Sequence, residues 1–148
     1  MYLLDTTHCC KIINGDQKIA GKLSSLGSET VATCVIVQGE LTYGALKSKH
    51  IEQNLLLVKQ FLEALYVYPV DGETAEIYGR LKAEIMERFG PRDRNRRGSF
   101  PIHKLGFTDN DLWIAAVALR HKLIVVSGDT DFSRIKGIMN LNVEKWIS

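Results

Sequence analysis

The sequence has no long hydrophobic run. The longest, Leu112 to Leu119, is eight residues, well short of the roughly 20 that a bilayer-spanning helix needs. The apolar start is interrupted at Asp5, so neither a signal peptide nor a membrane association is expected, and the chain reads as cytoplasmic. Cysteine is scarce too. Three cysteines, two of them adjacent at Cys9 and Cys10, match neither a disulfide framework nor a zinc-ligand spacing, and predict reduced packing residues without chemistry of their own. Internal repeats are absent. At 148 residues, 45% hydrophobic and 24% charged, the composition is that of one soluble domain over 1–148, long enough to bury a core.

Net charge is also small, +2 at pH 7, but it is unevenly placed. Between Arg88 and Lys104 six bases (Arg88, Arg92, Arg94, Arg96, Arg97, Lys104) stand against Asp93 alone, a net of +5 that leaves −3 for the rest. A near-neutral body with one basic segment, a loop at about 90–106, points to local anion binding.

Strand and helix signals alternate along the chain. Tyr2-Leu3-Leu4 is a short strand ending on Asp5-Thr6-Thr7, and a weakly amphipathic helix is expected over about 15–26, stopped by Gly27. A β-rich stretch over 30–34 leads into a helix from Val35 to about Lys47, in which Gly44 suggests close packing. Ile51, Leu55, Val58, Leu62 and Leu65 form one helical stripe within 50–66. Residues 67–70 read as an edge strand because of Pro69, followed by a helix over about 72–89 that Gly90-Pro91 ends. Leu123 to Ser127 is a buried strand bounded by Gly128-Asp129, and a last short strand is expected at 143–146. Such alternation predicts a three-layer α/β/α sandwich around a mostly parallel sheet.

The helix opening at Thr108-Asp109-Asn110-Asp111 runs directly into Leu112-Trp113-Ile114-Ala115-Ala116-Val117-Ala118-Leu119, apolar on every side. Its first turn puts carboxylates at the edge of a core, where a charge needs a partner. Thr108 and Asp111 fit a capping box, which is one explanation for the acid; a ligand is the other. Three more acids hold comparable positions: Asp5 ends the first strand, Glu40 lies on the helix after the second, and Asp129 follows the strand over 123–127. In a parallel sheet the ends of the strands share one edge, where ligands bind. Asp5, Glu40, Asp111 and Asp129 in one pocket repel one another unless a divalent cation holds them. Oxygen donors without His or Cys select Mg²⁺ or Mn²⁺ rather than zinc, and such an ion suits hydrolysis of a phosphodiester. Thr6 and Ser127 either orient those carboxylates or cap turns.

These residues carry a resemblance. Leu3-Leu4-Asp5-Thr6, Glu40-Leu41-x-x-Gly44, Asp111-Leu112-Trp113-Ile114-Ala115-Ala116 and Val125-Val126-Ser127-x-Asp129-x-Asp131-Phe132 resemble, in order and spacing across the chain, the PIN-domain ribonucleases, most closely the VapC-type toxins of toxin–antitoxin pairs. The resemblance implies a PIN-like fold and a metal-dependent endoribonuclease that cuts RNA with activated water. It also implies a homodimer inhibited by a cognate antitoxin. It gives metal-binding and catalytic roles to Asp5, Glu40, Asp111 and Asp129, lets Asp131 share or replace the role of Asp129, and lets Asp109 assist Asp111. The chain departs from the family pattern at Cys34 and Val37, where Ser and Thr are expected, and in its longer, more basic loop. Arg92, Arg94, Arg96 and Arg97 are candidates for RNA phosphate contacts, with Phe100 or Phe107 for base stacking; antitoxin contact or a plain solvated insertion competes with that role.

Other functions fit less well. A haloacid-dehalogenase-type phosphatase wants a second acid two residues after Asp5, where Thr7 stands. A receiver domain wants an adjacent acidic pair near the first strand. A PIN-like scaffold that binds RNA or protein without cutting has no need of four acids together.

Overall fold

The protein is described here by a computed structural model covering residues 1–27 and 30–146. Strands β1 (Tyr2–Leu4), β2 (Val31–Cys34), β3 (Tyr66–Tyr68), β4 (Ile124–Val126) and β5 (Asn142–Glu144) form one sheet of order β3-β2-β1-β4-β5. Every neighbouring pair is parallel. Leu3, Leu4, Val125 and Val126 are all fully buried. Since successive strand residues point to opposite faces, both faces of the sheet are covered, as the expected three layers require.

The helices are α1 (Thr6–Ile13), α2 (Gln17–Leu26), α3 (Val35–Leu46), α4 (Ile51–Glu63), α5 (Gly72–Phe89), α6 (Asp109–His121) and α7 (Thr130–Lys136). Among the described residues five of these seven open on a side-chain cap, from Asp5, Asp16, Asp71, Thr108 and Asp129. Each oxygen satisfies backbone N–H groups that have no partner within the helix. α3 begins on Cys34, at the position where the family pattern expects Ser, with no side-chain cap. None of the described helices is long and apolar enough to cross a membrane.

The elements differ from the sequence reading in several places. The segment after β1 is not a turn leading to one helix at 15–26; it is α1, followed by a tight turn at Gly15 with φ +83° and then α2. β3 lies at 66–68, so Pro69 stands just past it, although the edge position is as expected. Gly44 is not a close-packing residue, because a Cβ there would meet nothing within 4 Å. α7 follows Asp129 where only a strand end was expected. Of the cysteines, Cys9 and Cys34 are buried but Cys10 is exposed; burial pushes all three thiols upward, away from thiolate chemistry.

α6 is the core helix that its apolar run predicts, burying Leu112, Ile114, Ala115, Ala116, Val117 and Ala118. The small side chains let it approach its neighbours closely. It lies along α5, where Tyr78 and Trp113 stack with centroids 3.8 Å apart and planes 3° from parallel.

Chain order fixes where a ligand can enter. From β1 the chain steps to β2 and β3 on one side, whereas β4 and β5 lie on the other. The switch point therefore falls between β1 and β4, and the crevice outside their carboxyl ends is where such sheets bind ligands.

Candidate metal centre

Asp5 stands at that switch point. Its N–H donates to the Val126 carbonyl at 3.2 Å, extending the pairing of β1 with β4 by one residue. The residue is 7% exposed, and its side chain caps α1: Oδ1 accepts from the His8 N–H at 2.9 Å and lies 2.8 Å from His8 Nδ1. Thr6, the next residue, donates its hydroxyl to Glu40 Oε1 at 2.7 Å. That bond ties the first turn of α1 to α3 and orients the glutamate, so Thr6 is not a turn cap.

A second group gathers around the start of α6. One carboxylate oxygen each from Asp111, Asp129 and Asp131 lie within 4.8 Å of one another. The local hydrogen bonds explain their placement. Ser127 Oγ accepts from the Asp129 N–H at 3.0 Å, and Asp129 Oδ1 accepts from the Asp131 N–H at 2.9 Å, which turns the chain from β4 into α7. Asp131 is buried, and its Oδ2 accepts from the Thr108 N–H at 3.3 Å. Thr108 Oγ1 in turn accepts from the Asp111 N–H at 3.1 Å. Only half of the capping box is therefore made: Asp131 takes the Thr108 N–H that Asp111 would have taken. Capping does not use the Asp111 carboxylate.

Crowding marks this group electrostatically. The Asp111 carboxyl is pushed up to about 8, first by burial, then by its hydrogen bond with Asp131 and the charges of Asp129 and Asp131. Three such carboxylates suit a hard divalent cation, whose charge would offset the repulsion and whose oxygen preference matches the donor set.

Asp5 and Glu40 are not in the tight cluster but share its edge of the sheet. Asn110, next to Asp111, lines one open groove of about 850 Å³ together with Thr6 and Glu40. Val35, Gly39, Tyr43 and Gly44 of α3, with Lys47 just past its end, form another part of its wall, so the glycines keep the groove wide.

Other candidates lie elsewhere. Asp109 is not brought to Asp111: it accepts from the Tyr78 hydroxyl at 2.5 Å and from Lys82 Nζ at 3.3 Å, and those bonds hold its carboxyl below the ordinary value. The basic segment is built rather than loose, with two short 3-10 turns at Arg94–Ser99 and Ile102–Leu105. Arg97 is structural, donating to Glu87 at 2.6 Å and to the Pro91 carbonyl at 2.8 Å. Arg94 lies 3.7 Å from Glu87 with its side chain 80% exposed. Arg92 and Arg96 are exposed. Phe107 cannot stack on a base, because it is 1% exposed beneath Arg134, whose guanidinium carbon is 3.9 Å from the ring centre. Phe100 is half-buried. The residue that sequence reasoning missed is His8; its signal was the i, i+3 spacing from Asp5, which returns a side chain to the same helix face.

A parallel α/β sheet of order β3-β2-β1-β4-β5 with carboxylates gathered at its carboxyl edge defines the class: a three-layer domain with an oxygen-donor site at its switch point. The chain belongs to the PIN-domain family, whose model matches residues 2–138. Its relatives include Ribonuclease VapC2 of Rickettsia felis, 30% identical over 148 residues, covering 99% of this chain and 98% of that protein. The tRNA(fMet)-specific endonuclease VapC of Salmonella typhimurium is 30% identical over 146 residues, covering 98% of this chain and 97% of that one. Among solved structures, VapBC2 from Rickettsia felis bound to a promoter DNA fragment matches with a TM-score of 0.78 at 29% identity, over 99% of this chain and 98% of that one. DNA-bound VapBC from Salmonella typhimurium matches with a TM-score of 0.80 at 27% identity, again over 99% and 98%. This membership sets aside the phosphatase and receiver readings.

Proposed function

We infer that the protein is a VapC-type endoribonuclease, the toxin of a toxin–antitoxin pair, hydrolysing RNA phosphodiester bonds with Mg²⁺ or Mn²⁺ in the cytoplasm. The observation that carries this reading is the Asp111, Asp129 and Asp131 cluster at the switch point, with Asp5 and Glu40 on the same edge. When bound, a divalent cation supplies Lewis acidity, neutralising phosphate oxygens and making water more acidic. Asp5, Glu40, Asp111 and Asp129, with Asp131, would supply its oxygen donors, and Glu40, held by Thr6, stands at the groove wall where it could also accept a proton from attacking water. Ser127 acts indirectly, through the backbone of Asp129.

RNA approaches an acidic edge only if its phosphates find cations nearby. Arg92 and Arg96, with Arg94 beside them, supply those contacts, whereas Arg97 serves the loop itself. The cognate antitoxin covers the groove: Tyr43 and Leu46 of α3, with Ile51, Leu56 and Leu57 of α4, are exposed apolar side chains on the two helices beside it. A homodimer, which the family resemblance implies, is tested by sedimentation of the purified chain.

Purified protein freed of antitoxin should cut RNA, with tRNA as a first substrate, only when Mg²⁺ or Mn²⁺ is added. Asp5→Asn should abolish cutting while the circular dichroism spectrum stays unchanged. Cutting in EDTA, or by Asp5→Asn, would overturn the reading. Tight RNA binding without any cutting would instead favour a non-catalytic scaffold.

A further inference from the structure

His8 is fully buried, yet only one of its ring nitrogens has a partner. Nδ1 lies 2.8 Å from Asp5 Oδ1, and Nε2 has none. An ionised carboxylate only accepts, so Nδ1 must carry the proton in this pair. Nε2 then needs no acceptor, and leaving a bare ring lone pair unpaired in the core is less costly than leaving an N–H so. The imidazole meets the Trp146 ring edge to face, with centroids 6.4 Å apart and planes at 84°. Trp146 also packs edge to face on Tyr2, and its indole N–H donates to Glu144, so the segment after β5 shuts His8 from solvent. A ring held in this way has one orientation.

The consequence lies at Asp5. Both hydrogen bonds from His8, one from its backbone N–H and one from its ring, end on the same oxygen, Oδ1. Two donors on one oxygen fix the carboxylate plane and leave Oδ2 as the oxygen free to meet a ligand. We propose that His8 is a positioning residue: its Nδ1–H donates to Asp5 Oδ1 and, with the α1 cap, locks the carboxylate so that Oδ2 is the oxygen left to serve as a metal donor. Partners of this kind fix ligand orientation in metal sites, and their removal costs roughly 10- to 100-fold in metal affinity or activity. The proposal rests on the metal-dependent reading above. It adds a residue that neither composition nor the acid motifs single out.

Side-chain geometry supplies the test. Asn places an amide N–H₂ where His has Nδ1, whereas Gln places it where His has Nε2, and Leu fills a similar volume with no donor. Mn²⁺ binding to the RNA-free protein, followed by electron paramagnetic resonance of the free ion, reads the metal site without any turnover. The expected order is wild type and His8→Asn close together, with His8→Leu and His8→Gln at least ~10-fold weaker. Asp5→Asn is the reference. If Asp5→Asn binds Mn²⁺ like wild type, the metal role of Asp5 fails and the proposal with it. If Asp5→Asn weakens binding but His8→Leu or His8→Gln does not, the positioning role alone is overturned. Equal losses in His8→Asn and His8→Gln also overturn it, since core disruption rather than the Nδ1 donor would then be responsible. Should His8→Leu fail to fold, the Asn and Gln pair decides.

Discussion

At the scale of single residues, the Asp111 carboxyl makes the strongest claim. It holds its proton up to about 8, against an ordinary 3.8, because burial and two neighbouring aspartates oppose its ionisation. An acid that binds its proton more tightly folded than unfolded favours folding fully below the unfolded value, and that contribution is lost as pH rises towards the folded one. In EDTA, wild type should therefore lose stability between about pH 4 and pH 8, the window those two values set. Asp111→Asn removes the titration, so it should melt higher than wild type at pH 8, by a few degrees, given that ~1 kcal/mol moves a domain of this size by roughly 2–4 °C. Thermal melts at pH 5 and pH 8 test this, and a variant that is less stable at both would contradict it. The arginines separate in a similar way. Arg96→Ala should leave the melting temperature unchanged and lower the salt slope of RNA binding by about 1 for each phosphate that the arginine neutralises. Arg97→Ala should instead destabilise, by about 1 kcal/mol, because it loses Glu87 and the Pro91 carbonyl. If both variants behave alike, the division between them is wrong.

At the scale of elements, legibility depended on how far each segment's own chemistry decides its structure. α6 was readable because its apolar run follows a capped, acidic helix start at Thr108 and is rich in alanine, and the acid at its start was visible as a conflict between charge and burial. α1 was not readable. Thr6-Thr7-His8-Cys9-Cys10 contains weak helix formers, and it is helical because Asp5 caps it and Cys9 and His8 are drawn into the core. The same context hid His8 and misled on Asp109, expected as an assistant to Asp111 but taken up by Tyr78 and Lys82 of a different helix. Likewise, nothing in the basic segment distinguishes Arg97 from Arg96; only the folded positions of Glu87 and Pro91 do. Thr108 was read correctly as a cap, yet Asp131 took its backbone N–H. Thr108→Ala should cost about 1 kcal/mol, the ordinary value of a lost N-cap. It should also lower Mn²⁺ affinity, because the same hydroxyl fixes the turn that carries Asp111. Urea unfolding alongside Mn²⁺ titration checks both, and unaltered metal affinity would show that the turn holds without its cap.

For the whole molecule, parallel strand order does what no single motif can. Asp5, Glu40, Asp111, Asp129 and Asp131 are spread across most of the chain, and they share one edge of the sheet because β1 and β4 are neighbours whose carboxyl ends define one crevice. The alternation of strands and helices made that crevice predictable. The division of its acids into a tight group of three and the Asp5–Thr6–Glu40 side was not, since it depends on how α3 and α6 lean across the edge. A site of this kind couples metal to stability. Saturating Mn²⁺ should raise the melting temperature, by ~2.7 kcal/mol of stabilisation at 100 times the dissociation constant, and this rise should disappear in Asp111→Asn. The most direct test of the central claim is RNA cleavage by wild type and Asp111→Asn across a Mn²⁺ titration. The account predicts cutting that rises with Mn²⁺ in wild type and is absent at every concentration in Asp111→Asn. Comparable cutting by the two would contradict it.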